Sequence, residues 1–130
     1  MTEPPSPMPP TASAPRADGA VAIVYAGDYV NKATGQRIEH ECLLKLESGC
    51  RALVINFRGT ELVNSIGVSI LLGVIDVAER RGTPVVFSDL SRHTVKLFDL
   101  LGLTRLVALA ESEEAALATL SEFAPSPNGH

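Results

Sequence analysis

The apolar positions of this chain fall into blocks whose period alternates between that of a strand and that of a helix. Residues 20–27 (AVAIVYAG) and 51–59 (RALVINFRG) are short runs rich in Val, Ile and aromatic side chains that end in glycine, and both read as strands. Between them, residues 36–47 carry Ile38, Cys42, Leu43 and Leu46 at the spacing of one helical face, with Gly49 as a C-terminal stop. A second helix is expected over 65–81, stopped by Gly82, and TPVVFSDL (83–90) follows as a third strand with Pro84 at its start. Residues 92–101 read as a helix stopped by Gly102, 104–109 as a short strand, and 112–123 as a last helix with a Ser-x-Glu-Glu opening. This alternation predicts the α/β class, with crossover helices on a sheet of about four to five mostly parallel strands and four helices packed on it.

Composition sets the borders of that domain. Six of the nine prolines fall in the first 15 of the 130 residues, among Ser, Thr and Ala, so 1–18 is expected to be a disordered, solvated tail. Residues 125–130 again combine Pro, Ser, Asn and Gly and are expected to fray, which leaves one domain over 19–124. No stretch reaches the roughly 18 consecutive apolar residues of a membrane span, and the N-terminus lacks the apolar core of a secretory signal, so the expected location is the cytoplasm.

Several kinds of chemistry find no support. A net charge of -4 without a Lys/Arg cluster argues against nucleic acid as a partner. Cys42 and Cys50 have neither CxxC spacing nor a histidine set that would make a zinc site, and no metal or cofactor is expected. His40 lies between Glu39 and Glu41 on a helix, and His93 sits in a helix opening. Neither occupies a recognisable catalytic setting, so the protein is expected not to be an enzyme. The glycines are isolated and form no phosphate loop. Asp28 stands alone after the first strand, and Asn56 occupies the place near Phe57 where a response-regulator receiver would need an Asp.

The informative segment is the second helix. Its opening, Leu62-Val63-Asn64-Ser65-Ile66-Gly67, puts Asn64 or Ser65 at the N-cap. At about 100° per residue, Ile66, Gly67, Val68, Ile70, Leu71, Val74, Ile75, Val77 and Ala78 share one broad face that is expected to cover the sheet. The opposite arc holds Ser65, Ser69, Leu72, Gly73, Asp76, Glu79 and Arg80, and its upper half is made of small residues around one large apolar side chain. A strip of Ser65, Ser69 and Gly73 beside Leu72 lets a partner helix approach closely, with Leu72 as an anchor. A hydroxyl at a helix N-terminus is also a favourable phosphoacceptor, because free N–H groups and the helix dipole stabilise the phosphate. The same group adds roughly -1.5 to -2 charges to a docking strip that is otherwise small and neutral.

With these residues in view, the stretch from Arg51 to Leu106 resembles the STAS domain of anti-sigma factor antagonists, and a weaker likeness extends back to Ala20. Two motifs carry it. Asn64-Ser65-Ile66-Gly67 is similar to the family's Asp-Ser-Ser/Thr-Gly, and Val95-Lys96-Leu97-Phe98-Asp99-Leu100-Leu101-Gly102-Leu103 is close to the helix before the family's last strand. Gly27-Asp28-Tyr29-Val30-Asn31 resembles the family's Gly-Glu-Leu-Asp turn, which adds Asp28 and Asn31 to the expected contact surface. The sequence departs from the family at Asn64, where Asp is usual, and at Ile66, where a second hydroxyl is usual.

The resemblance implies an antagonist that works by partner switching. Unphosphorylated, it would bind an anti-sigma factor and serine kinase with a histidine-kinase-like ATPase fold. Phosphorylation of Ser65 would release that partner, and a PP2C-type phosphatase would restore binding. The implied contact residues are Asp28, Asn31, Asn64, Ser65, Ile66, Gly67, Ser69, Leu72, Gly73 and Asp76. The departures at Asn64 and Ile66 favour an alternative, a STAS scaffold or accessory subunit of a sensory or transport complex that docks without phosphorylation.

Overall fold

The computed structural model describes residues 20–123. In chain order its elements are β1 (Val21–Tyr25), β2 (Tyr29–Val30), α1 (Lys32–Glu47), β3 (Ala52–Asn56), β4 (Leu62–Val63), α2 (Ser65–Arg80), β5 (Val85–Ser88), α3 (Arg92–Leu100), β6 (Ala108–Ala110) and α4 (Glu113–Phe123), with a 3-10 turn at Leu103–Arg105. The tails expected over 1–18 and 125–130, and the expected domain ends at 19 and 124, lie outside the described residues.

The main sheet has the strand order β1-β3-β5-β6, and each neighbouring pair is parallel, as crossover helices require. The central strand β3 is buried at every position because helices cover both faces. Its side chains alternate between two cores. Leu53 and Ile55 join Ala22, Val24 and Phe87 beneath α1, α2 and α3, whereas Ala52 and Val54 join Val86 beneath Ala116 and Leu120 of α4. On the larger side Phe57 meets Phe87 and Phe98 edge to face and those two rings are tilted to each other, with ring centroids 4.9 to 5.6 Å apart, and this cluster seats α3 on the sheet. Cys42 and Cys50 are both buried in the larger core as free thiols. Burial away from water pushes the Cys42 thiol up to about 12, so it stays protonated and unreactive.

Three local expectations change. The first helix starts at Lys32 rather than at residue 36, because Asn31 caps it by accepting the Thr34 N–H at 3.0 Å. Its first turn carries no apolar stripe, so periodicity alone starts the helix a turn late. The segment expected to be a strand over 104–109 divides in two. Gly102 adopts a left-handed φ of 85°, the chain then makes the 3-10 turn, and only Ala108–Ala110 pairs with β5. Leu103 and Val107, four apart, are both buried and are bonded as a turn, Val107 N–H to Leu103 O at 3.3 Å. The second helix turns Ile66 outward rather than onto the sheet; the other residues of its expected apolar face are buried or half-buried.

Helices α1 and α2 lie side by side and meet through glycine. A Cβ on Gly67 would lie 2.6 Å from the Val30 carbonyl oxygen and 2.8 Å from Val30 Cγ1, and one on Gly35 would lie 2.8 Å from Ile70 Cδ1. Gly73, on the outer side of α2, has open space around it. In an exposed helix interior, Gly→Ala stabilises by roughly 0.5–1 kcal/mol. Overpacking a close backbone approach costs about 1–3 kcal/mol. Gly73→Ala is therefore expected to raise the urea midpoint and Gly67→Ala to lower it, in paired unfolding curves.

Candidate functional site

The site is built around a second, two-stranded sheet that the sequence pattern does not announce. β2 and β4 pair in parallel, Tyr29 opposite Leu62 and Val30 opposite Val63, and each strand runs straight into a helix. The loops before them are tied together. Glu61 N–H donates to Asp28 O at 2.8 Å, the Thr60 hydroxyl donates to Gly27 O, and Arg37 of α1 donates to the carbonyls of Tyr25 and Ala26 at 3.0 and 2.9 Å. At the far end Asn64 N–H reaches Val30 O at 2.9 Å. Two strand-to-helix junctions are thereby held side by side.

At each junction an asparagine caps the helix that follows. Asn31 caps α1, and Asn64 caps α2 by accepting the Gly67 N–H at 2.8 Å. Between the two cap positions left open by the sequence, the structure selects Asn64. Ser65 is the first residue of α2, exposed, and its hydroxyl has no hydrogen-bond partner among the described residues.

Around that hydroxyl lies an apolar surface. Ile66 is 48% exposed, Leu62 52%, Tyr29 39% and Leu72 37%. Tyr29 and Leu62 are directly opposed in the small ladder, while their chain neighbours Val30 and Val63 are buried below. Both were missed as site residues, since two-residue strands are too short to show a period. The one readable signal was an apolar residue next to each inward-facing valine.

The remaining expected contact residues divide by role. Asp28, Ser69, Gly73 and Asp76 are exposed, and Asp76 pairs with Arg80 at 3.0 Å. Asn31 and Asn64 are half-buried and engaged as caps, and Gly67 is buried against Val30. Their place is beneath the surface formed by Ser65, Ile66, Ser69, Leu72 and Gly73, which they position.

Comparison with known proteins places this arrangement. The family described as the STAS domain matches residues 12–116. The chain belongs to the STAS domain family. A Bordetella bronchiseptica protein named as an anti-sigma factor antagonist, BtrV, is 25% identical over 108 residues, covering 83% of this chain and 92% of its own. The fold is shared with a sulfate transporter family protein from Wolinella succinogenes, with a TM-score of 0.72 and 17% identity over 78% of this chain and 85% of that one. It is shared as well with the anti-sigma factor antagonist SpoIIAA in its unphosphorylated form, with a TM-score of 0.68 and 16% identity over 79% of this chain and 90% of that one. The STAS fold of this chain is thus shared alike by an anti-sigma factor antagonist and by a sulfate transporter family protein. Among the described residues, no helix is long and apolar enough to cross a membrane.

The division of labour at the start of α2 of this STAS domain can be measured. Asn64→Ala removes the cap and is expected to lower stability by about 1 kcal/mol. Ser65→Ala removes an exposed, unpartnered hydroxyl and is expected to stay within about 0.5 kcal/mol of wild type in the same denaturant titration.

Proposed function

We propose that this protein is an anti-sigma factor antagonist that acts by partner switching at Ser65. In its unphosphorylated form it binds an anti-sigma factor that is also a serine kinase, with a histidine-kinase-like ATPase fold. Phosphorylation of Ser65 releases that partner, and a PP2C-type phosphatase resets the cycle.

The observation that carries this reading is the exposed, unpartnered Ser65 hydroxyl at the first position of α2, with Asn64 already serving as the cap. A kinase can take such a hydroxyl without dismantling the helix. The surrounding Tyr29, Leu62, Ile66 and Leu72 supply the apolar area that a protein partner buries. The strip of Ser65, Ser69 and Gly73 lets another helix approach, and Asp28 at the rim adds a charge that can orient the encounter. The likeness to BtrV and to SpoIIAA supports the same reading.

A second reading has its own observation. The side chain of Asn64 is engaged with Gly67 N–H and carries no charge, so Ser65 lacks the acidic neighbour usual in the family. A scaffold or accessory subunit that docks through the same surface without being phosphorylated fits that feature.

One experiment separates them. Wild type and Ser65→Glu are used side by side to recover partners from the native lysate, with thermal melts of both proteins. Partner switching predicts nearly equal melts and recovery of a histidine-kinase-like ATPase by wild type alone. Equal recovery of one non-kinase partner by both proteins would instead establish the scaffold. Leu62→Asp is expected to weaken binding of the partner at least tenfold while leaving the melt within a few degrees, because Leu62 is exposed beside the hydroxyl.

A further inference from the structure

The edge of the main sheet formed by β6 is open. β6 pairs with β5 alone, and among the described residues no strand lies along its outer side. One bond sets the phase of its backbone. Asp89 N–H donates to Ala110 O at 3.3 Å, so Ala110 and, two residues back, Ala108 turn their backbone groups toward β5. The N–H and C=O of Leu109, between them, point out of the sheet. Helix α4 carries the chain away from this edge, since the Leu120 carbonyl accepts from Arg51 at the start of β3, at 3.3 Å. The opposite edge, β1, is entered directly from residues outside the described part.

The sequence here lacks the devices that keep sheet edges apart. Edge strands of monomers are usually blunted by Lys, Pro, a bulge or an inward charge. Residues 106–110, Leu-Val-Ala-Leu-Ala, carry neither charge nor proline. Beside them Leu100, Leu101, Leu106 and Leu109 are all exposed, Leu100 to 83%. Leu109 is in register with Phe87 and shares its face of the sheet, the face that α3 covers. The Thr104 hydroxyl donates to Asp99 Oδ1 at 2.9 Å and ties the turn before β6 to the end of α3, where Leu100 and Leu101 stand. A single exposed leucine needs no explanation, but four around an unpaired edge form an interaction surface.

Charge identifies the occupant. Exposed Arg105 precedes the strand and exposed Glu111 follows it, and neither is in an ion pair among the described residues. A second copy laid antiparallel brings Arg105 of each chain beside Glu111 of the other, twice over. A parallel copy would set like charges together. We propose that two copies of this chain associate edge to edge through β6, antiparallel about a two-fold axis at Leu109, so that the two sheets become one. Each Leu109 N–H then donates to the Leu109 carbonyl of the second copy, and the exposed leucines flank the seam. The edge is short, and a standard interface takes about 800 Å² from each partner, so the association is weak and depends on concentration. Ser65 opens α2, whereas Leu106 borders Ile75 and Glu79 toward the other end of that helix. The seam leaves the Ser65 surface free, and it does not depend on the partner-switching reading.

The test is sedimentation velocity of the full chain from about 5 to about 500 µM, with a thermal melt of every variant. Wild type is expected to pass from monomer toward dimer across that range. Arg105→Glu and Glu111→Arg, each of which turns both cross-seam attractions into repulsions, are expected to weaken the dimer about fivefold or more. The double variant, with the charges exchanged, is expected to regain wild-type association. Leu109→Lys places a charge on the axis and is expected to keep the chain monomeric with little change in its melt. A wild type that stays monomeric throughout, single charge variants that dimerise as wild type does, or a double variant no better than the singles would each overturn the proposal.

Discussion

The close approach of Gly67 to the Val30 carbonyl is the constraint on which the functional end of this domain depends. At that point the first turn of α2 rests on the end of β2, at a distance that leaves no room for a Cβ. The contact needs β2 beside β4, and that pairing in turn needs the loop bonds from Asp28, Gly27 and Val30 to Glu61, Thr60 and Asn64. A longer separation would let the two junctions drift apart and would break the surface into a strand patch and a helix patch. The same packing continues at Gly35, whose missing side chain admits Ile70. Two glycines thus fix the relation between α1 and α2, and the large apolar residues fill the core behind them.

Once the junctions are fixed, the placement of polar groups decides which of them remain available. Asparagine at both N-caps satisfies a helix N–H and holds the backbone in its extended turn into the helix. Ser65 is left one position inside, with its backbone in the helix and its hydroxyl in water. If Ser65 were the cap, modification of its oxygen would remove a bond that the helix needs, and a chemical signal would become a folding defect. The observed arrangement puts the capping side chain and the exposed hydroxyl one residue apart.

Much of the fold could be read in the sequence because burial on two faces imposes continuous apolar runs on β3 and β5, and glycine marks several element ends. Positive φ at Gly27, Gly49, Gly59, Gly82 and Gly102 accounts for that punctuation. The elements that escaped are those too short to have a period. β2 and β4 have two residues each, and the 3-10 turn after Gly102 has three. The start of α1 escaped for another reason, since its first turn rests on a cap and a glycine contact and not on an apolar stripe. At the site, the small-residue strip of α2 was legible from the helical wheel. Ile66 was assigned to the wrong side because it lies at the margin of the apolar arc, where the wheel cannot say that the chain entering from β4 leaves that first turn open to solvent. Tyr29 and Leu62 come from distant segments and become neighbours only through the ladder.

The surface around Ser65 has a composition that makes a single charge effective. Tyr29, Leu62, Ile66 and Leu72 bring apolar area, while Ser69 and Gly73 bring closeness, so a helix seated there would exclude water from the hydroxyl. A phosphate in the free domain remains hydrated and gains from the positive end of α2. Inside such an interface it would have to give up its hydration without a built-in cation, and burying an unpaired charge costs several kcal/mol. Each 1.4 kcal/mol is a factor of ten in affinity, so under the proposed partner switching that cost alone would separate bound from released. On the proposed reading the asymmetry would not require any change in the fold of the domain, because the hydroxyl stands on a helix N-terminus beside exposed apolar side chains.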